Sequence, residues 1–312
     1  MSTDATVLIV GSVAFDTLHM PSGSFAKVLG GSATFASLAA SFFCRPRLVG
    51  VVGKDYPKSA IDMLTSRGVD LAGLEVAEGD TFHWEGRYSD DLTGRTTLCT
   101  DLNVFATFHP KIPSQFRDTP FVLLGNIDPA LQIEVLDQLD RPKLVVADTM
   151  NFWIRGTRAK LLELLRRIDV LVINEEEARE LAGLRNIVQV ARSLVSMGPQ
   201  TIVIKQGEYG ALLFERDEKS PGSLSIFSAP AYPVDEVIDP TGAGDTFVGA
   251  MLGFLAQRGR VDSAALRQGV IYGSTVASYC VEGIGVRRLC EITRAQIDDR
   301  FHTFHKLAHF EG

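Results

Sequence analysis

Between Asp239 and Phe247 the chain reads Asp-Pro-Thr-Gly-Ala-Gly-Asp-Thr-Phe. From there Phe247, Met251, Phe254 and Leu255 recur at i, i+4, i+7 and i+8, the spacing of one face of an amphipathic helix. Gly242, Ala243 and Gly244 therefore fall at a helix N-terminus. Backbone N–H groups there lack intrahelical partners, and the dipole end is positive. Glycine lets that backbone come close to a ligand. The combination suits an anion, phosphate above all. Asp245 stands beside it, placed to take a proton from an attacking hydroxyl. An anion hole with a carboxylate base is the minimum that phosphoryl transfer to an alcohol requires. The same string also reads as a capped helix after a glycine turn, with Asp245 only complementing the dipole.

Two other phosphate motifs are excluded. A dinucleotide fingerprint would need its third glycine at position 247, where Phe stands, and Gly249 comes two residues late. A Walker loop would need Gly-Lys-Ser/Thr, but Gly53-Lys54 is followed by Asp55.

Further polar groups fall at the ends of apolar runs. Asp16 follows the first strand, where a carboxylate could accept two hydrogen bonds from sugar hydroxyls; a turn role is the simpler reading. Gly30-Gly31 opens the next helix and permits close approach of a ligand, or marks only a turn. Asn174 and Glu177 have capping-box spacing. They also suit Mg²⁺ held through waters, since magnesium takes few direct protein ligands. Lys205, Gly207 and Gly210 end one strand and begin another, suited to a turn over a nucleotide or to an ordinary connection. Asp148-Thr-Met-Asn151 closes a middle strand, so its polar groups point to the same edge. His302, His305 and His309 decorate a terminal amphipathic helix with Phe301, Phe304 and Leu307 inward; a metal site is the weaker reading.

The elements that must position these groups alternate. Strands at 6–11, 47–52, 121–124, 144–147, 170–173 and 201–205 are separated by helical stretches such as 31–43 and 57–67, with a short extended piece at 234–238. Continuous apolar strands such as Leu144-Val-Val-Ala suit a parallel sheet covered on both faces. Ligands of such sheets bind beyond the carboxyl ends of the strands. Residues 81–108 break the rhythm with two extended runs around a polar turn at Ser89 to Gly94, a hairpin signal. That hairpin is either a lid with one open face or an edge of the main sheet. Asp217 to Ser223 reads as a polar loop.

The chain has 312 residues, 46% hydrophobic and 22% charged, an ordinary globular composition. A net charge of −7 argues against a nucleic-acid partner. No apolar run has the length of a membrane span, and no basic leader precedes the first strand. The four scattered cysteines form no C-x-x-C and read as free thiols of a cytosolic protein.

Taken in order, Asp16, Gly30-Gly31, Asn174-x-x-Glu177, Lys205-Gln-Gly-x-x-Gly210 and Asp239-x-Thr-Gly-Ala-Gly-Asp245 resemble the ribokinase or PfkB family of sugar and nucleoside kinases. The resemblance spans nearly the whole chain. It implies one ribokinase-like domain over 1–312, a three-layer α/β/α fold with a mostly parallel sheet. It also implies a small β-sheet lid inserted at about 12–29 and 80–108. The implied activity moves the γ-phosphate of ATP, with Mg²⁺, to a hydroxymethyl group. Asp245 is then the base, and the Gly242-Ala243-Gly244 backbone neutralises charge on the transferring phosphate. Asp16, Gly30 and Gly31 would hold the acceptor. Asn174, Glu177, Lys205, Gly207, Gly210, Gly242 and Gly244 would serve the nucleotide and its metal. Some members use a monovalent cation, K⁺, and Asp239 matches the side-chain position associated with it. The expected partner is a small molecule, with the protein a monomer or a homodimer through the lid.

Two positions depart from the family pattern. Phe35 stands where many members carry an Asn that binds substrate hydroxyls. Asp148-Thr-Met-Asn151-Phe-Trp153 lacks the Arg of the usual string. Phe cannot satisfy sugar hydroxyls, but it could pack against a flat base, with His83 and Trp84 of the lid converging on the same pocket. That suits a nucleoside at least as well as a free sugar. In the other reading Phe35 simply faces the core. A non-catalytic nucleotide- or sugar-binding regulator on the same fold is the alternative function, and it would have no need of Asp245.

Overall fold

The computed structural model describes residues 5–92, 94–217 and 222–308. In chain order its strands are β1 Thr6–Val10, β2 Ala14–Met20, β3 Gly23–Gly30, β4 Arg45–Val52, β5 Asp70–Val76, β6 Phe82–Tyr88, β7 Arg95–Asp101, β8 Phe121–Leu124, β9 Leu144–Asp148, β10 Val170–Asn174, β11 Thr201–Lys205, β12 Ala211–Arg216 and β13 Leu224–Ala229. Nine of them form the main sheet, in the order β13-β12-β11-β10-β9-β8-β1-β4-β5. From β11 to β5 every pairing is parallel; β12 and β13 add antiparallel at one edge.

The alternation of side chains along each strand puts one core on either face. Val7 and Ile9 of β1 enter one cluster, Leu8 and Val10 the other, and all four are fully buried. Helices Ser32–Ala40, Ala243–Arg258 and Ser263–Cys280 cover the first face, and helices such as Arg158–Leu165 and Ile187–Ser196 the second. This is the expected three-layer α/β/α arrangement.

The remaining four strands make a second sheet, in the order β3-β2-β6-β7. It draws on both halves of the polar interruption: β2 and β3 pair antiparallel, β2 and β6 parallel, β6 and β7 antiparallel. Asp16 lies within β2 rather than in a loop after β1.

The helix Ala243–Arg258 is not amphipathic as its apolar spacing suggests. Residues 246–256 are all buried. Phe247, Met251, Phe254 and Leu255 occupy one side, while Gly249 and Gly253 face the backbone of Ala36 and Ala40 in the helix Ser32–Ala40. A Cβ at Gly249 would overlap the Ala36 backbone, and one at Gly253 would stand 2.9 Å from the Ala40 Cα. The two helices thus touch backbone to backbone.

Three smaller expectations are corrected. Residues 234–238 form no strand, and at their end the Ile238 N–H donates to the Val281 carbonyl at 2.8 Å. In the terminal helix Arg294–Ala308, Phe301 and Phe304 pack inward but Leu307 is 45% exposed. His302 and His305 are exposed, and His309 lies outside the described residues. The polar loop at 217–223 is described only at its ends. Cys44, Cys99, Cys280 and Cys290 are free thiols. Among the described residues no helix is long and apolar enough to cross a membrane.

Candidate active site

Gly242 is the N-cap of the helix Ala243–Arg258 and adopts φ 73, ψ 1, a left-handed conformation that favours glycine. Its Cα is covered by the ring of Phe35, so a Cβ there would overlap the ring. Phe35 is 1% exposed and sits in the core. The expectation that it lines the acceptor pocket is corrected: the ring is the floor beneath the turn. Over this apolar floor the Ala243 N–H closes the turn onto the Pro240 carbonyl at 3.3 Å, and the N–H groups of Gly244 and Asp245 have no backbone partner among the described residues.

Asp245 stands in the first turn of that helix. Burial, with the charge of Asp148 beside it, pushes its carboxyl up to about 7, against the pull of Lys205 and Arg95. Asp16 is 6% exposed and lies against Gly30, where a Cβ would overlap the carboxylate. The first glycine of the pair is thus explained by the space Asp16 needs. Gly31, at φ 93, caps the helix Ser32–Ala40 and packs on the Ser12 carbonyl. Burial and the nearby Asp239 and Asp245 push the Asp16 carboxyl up to about 7. Among the described residues no other residue donates a hydrogen bond to the carboxylate of Asp16 or Asp245.

On the far side, β9 and β10 bring Asp148 and Asn174 to the same edge. The capping box forms in full: the Asn174 side chain accepts from the Glu177 N–H at 2.8 Å, and Glu177 accepts from the Asn174 N–H at 3.2 Å. Glu177 is 8% exposed, and burial together with Asp148 pushes it up to about 7. The Lys205 ammonium lies 3.4 Å from Asp148 Oδ2 and 2.9 Å from where a Gly244 Cβ would stand. Burial alone would lower its pKa, but the charges of Asp148, Glu177 and Asp245 hold it above the ordinary value.

Three carboxylates, Asp148, Glu177 and Asp245, therefore crowd one lysine. The excess negative charge fits a divalent cation. The described residues contain no group of three or more His, Cys, Asp or Glu side chains set to chelate a metal. An acidic group of this kind suits magnesium, which keeps several of its waters and takes few direct protein ligands. Asp239 stands apart from this group. It is fully buried, and its two oxygens accept from the Thr241 and Gly285 N–H groups, each at 2.8 Å. It works as a bracket joining the 239–241 turn to the 281–285 turn.

The loop of Gly207 and Gly210 is a tight hairpin connection between β11 and β12, closed by Gln206 N–H to the Gly210 carbonyl at 2.7 Å. Gly210 is required by packing, since a Cβ would overlap the Ala229 carbonyl; the space beside Gly207 is open. In the second sheet Trp84 is paired with Asp16 and shares its face. His83 is on the opposite face, bonded to Thr17 at 2.9 Å and Asp101 at 3.4 Å, so it does not join Trp84.

Two residues were not singled out from sequence. Arg95 begins β7, and its positive charge lowers the pKa of Asp16, Glu177 and Asp245 alike. Tyr88 ends β6 and places its hydroxyl 2.7 Å from Thr241 Oγ1. Nothing in a lone Arg or Tyr after a hairpin distinguishes it; the second sheet's position over the site does.

A family model for the pfkB family of carbohydrate kinases matches residues 4–293, so the chain belongs to that family. It is a carbohydrate or nucleoside kinase. The chain is similar to the cytidine kinase of Thermococcus kodakarensis, at 30% identity over 271 residues, 85% of this chain and 93% of that one. Its fold is that of the Burkholderia thailandensis nucleoside kinase in complex with inosine, with TM-score 0.77 at 20% identity, over 95% of this chain and 97% of the other. It is likewise that of the Arabidopsis thaliana ribokinase complexed with ribose and ATP, with TM-score 0.74 at 22% identity, over 95% and 98%.

Proposed function

We propose that this kinase transfers the γ-phosphate of ATP to the hydroxymethyl group of a nucleoside. The observation that carries the reading is the pair Asp16 and Asp245. Asp16 is buried and Asp245 half-buried, no other described residue donates a hydrogen bond to either carboxylate, and Asp245 stands in the first helical turn after the left-handed Gly242. Buried carboxylates without donors are costly unless a ligand supplies them. Hydroxyls of an acceptor do so.

In this reading Asp16 accepts from two ribose hydroxyls and fixes the sugar. Asp245 accepts the proton of the attacking hydroxyl. A carboxyl held at about 7 is well matched to that task near neutral pH. The N–H groups of Gly244 and Asp245, which have no backbone partner among the described residues, and the Lys205 ammonium take up charge on the transferred phosphate. Asp148 and Glu177 would hold Mg²⁺, in part through water, and the ion would supply charge neutralisation to the phosphate oxygens. Asn174 and the open backbone at Gly207 lie on the nucleotide side. No step is assigned to a monovalent cation.

The second sheet acts as the lid over the acceptor. Its inner face carries Trp84 beside Asp16, a flat aromatic surface of the kind a nucleobase stacks on. That placement, with the similarity to a cytidine kinase, favours a nucleoside over a free sugar. The test is ADP release with a panel of nucleosides, pentoses, hexoses and polyols. Fastest turnover with a nucleoside, cytidine included, is expected; preference for a free sugar overturns the acceptor assignment.

A further inference from the structure

The second sheet touches the phosphate-binding turn at one polar point. Tyr88 is 7% exposed, its ring packed with Leu18 and Met20 and flanked by Val28 and Ile284. Its hydroxyl meets Thr241 Oγ1 at 2.7 Å. Among the described residues this is the hydrogen bond that joins the strands of the second sheet to the segment 239–245.

Thr241 is held from more than one side. Its N–H donates to Asp239 Oδ1 at 2.8 Å, and its carbonyl faces the Cys280 thiol at 3.7 Å. It directly precedes Gly242, the N-cap whose left-handed φ aims the first N–H groups of the helix. The other Asp239 oxygen accepts from Gly285, next to Ile284, which packs against the second sheet. The sheet therefore bears on two points, Thr241 and Ile284, and both are tied to the same buried carboxylate. A shift of the sheet must be felt at the turn, because a bracketed loop moves as a unit.

We propose that Tyr88 is a positioning residue that couples the acceptor side of the site to the nucleotide side. When the second sheet closes over an acceptor at Asp16, the Tyr88 hydroxyl engages Thr241 and, with the Asp239 bracket, fixes the Gly242 turn for phosphate. The coupling rests on the phosphate reading of Gly242 to Gly244. It is reciprocal: acceptor tightens nucleotide binding, and nucleotide tightens acceptor binding by the same factor.

The test is calorimetric titration of the full chain with a non-hydrolysable ATP analogue and Mg²⁺. It is run without and with cytidine, or with whichever compound of the panel is turned over fastest. In the unaltered protein the acceptor should tighten nucleotide binding about fivefold or more, the range of measured couplings. Tyr88→Phe keeps the ring and its packing, so it should fold. It should bring that ratio close to one while leaving nucleotide affinity in the absence of acceptor unchanged. Thr241→Val should do the same, and the double variant should be no worse than either single one. A coupling ratio that survives in Tyr88→Phe, or none in the unaltered protein, overturns the latch. Failure of the analogue to bind at all overturns the phosphate reading instead, so the two failures are distinct.

Discussion

The ring of Phe35 lies against the Cα of Gly242, so the helix that opens at the Gly30-Gly31 turn supplies the floor of the turn that caps the helix Ala243–Arg258. This contact decides what a change at Phe35 does. Phe35→Asn should destabilise the protein by about 3–5 kcal/mol, the scale of a lost core Phe, with a buried unpaired amide adding to it. Residual activity should keep the same acceptor preference. Denaturant midpoints and acceptor profiles measured together check this; a changed preference with intact stability would return Phe35 to the pocket.

Asp245→Asn is isosteric and sits at an exposed helix start only in sequence; in the fold it is enclosed by charge. Turnover should fall about 10²–10⁴-fold, the usual cost of a lost general base. Nucleotide affinity should change little, and the melting temperature should hold or rise, because one of three mutually repelling carboxylates is removed. Full kcat in this variant would show that another group takes the proton.

The buried carboxyls give the pH dependence a definite sign. Asp16, Glu177 and Asp245 are each held up to about 7, above their unfolded values, first by burial and then by neighbouring negative charge. The folded state therefore binds more protons than the unfolded chain between those values. The stability this gives is complete below about pH 4 and is lost as pH rises through about 7. The ligand-free melting temperature should fall across that upper range, with a shallower fall in Asp245→Asn. Over the same range kcat/KM should rise, as the base form of Asp245 is populated. A rate profile flat from about pH 6 to about 8 would remove Asp245 from the role.

Arg95 reaches the site from the second sheet, and its charge favours the ionised forms of Asp16, Glu177 and Asp245. The middle-strand string carries Trp153 where an Arg is usual, and Arg95 is a cation on a different segment. Arg95→Gln should lower kcat roughly tenfold or more, the scale of one hydrogen bond to a charged group. It should also move the rising limb of the rate profile to higher pH. An unchanged profile and kcat would confine Arg95 to the surface, where its guanidinium lies 5.8 Å from the Trp84 ring centroid.

Much of this was legible before the fold. The runs Leu144-Val-Val-Ala and Thr201-Ile-Val-Ile are apolar on both faces, and only a covered parallel sheet accommodates that. Asp239 to Asp245 announced a helix start because glycines and an acid precede an apolar repeat. Phe35 was ambiguous, since burial depends on which helix lies over it, and Gly249 and Gly253 had to be seen against Ala36 and Ala40 to settle that. Asp239 matches a monovalent-cation position by family resemblance alone; its bond to the Gly285 N–H joins residues distant in sequence, and no local pattern carries that. Tyr88 and Arg95 were invisible for the same reason: their partners are long-range, and periodicity carries no information about them.

The backbone contact of Gly249 and Gly253 with Ala36 and Ala40 has a consequence for how such a protein can change its diet. The helix that opens at Gly30-Gly31 and the helix that opens at Gly242 are held together by backbone contacts at Gly249 and Gly253 and by the Phe35 ring under Gly242. Side-chain variation is left to the second sheet, the two hairpins carrying Asp16, Trp84, Tyr88 and Arg95, and that sheet meets this junction through the Tyr88–Thr241 hydrogen bond.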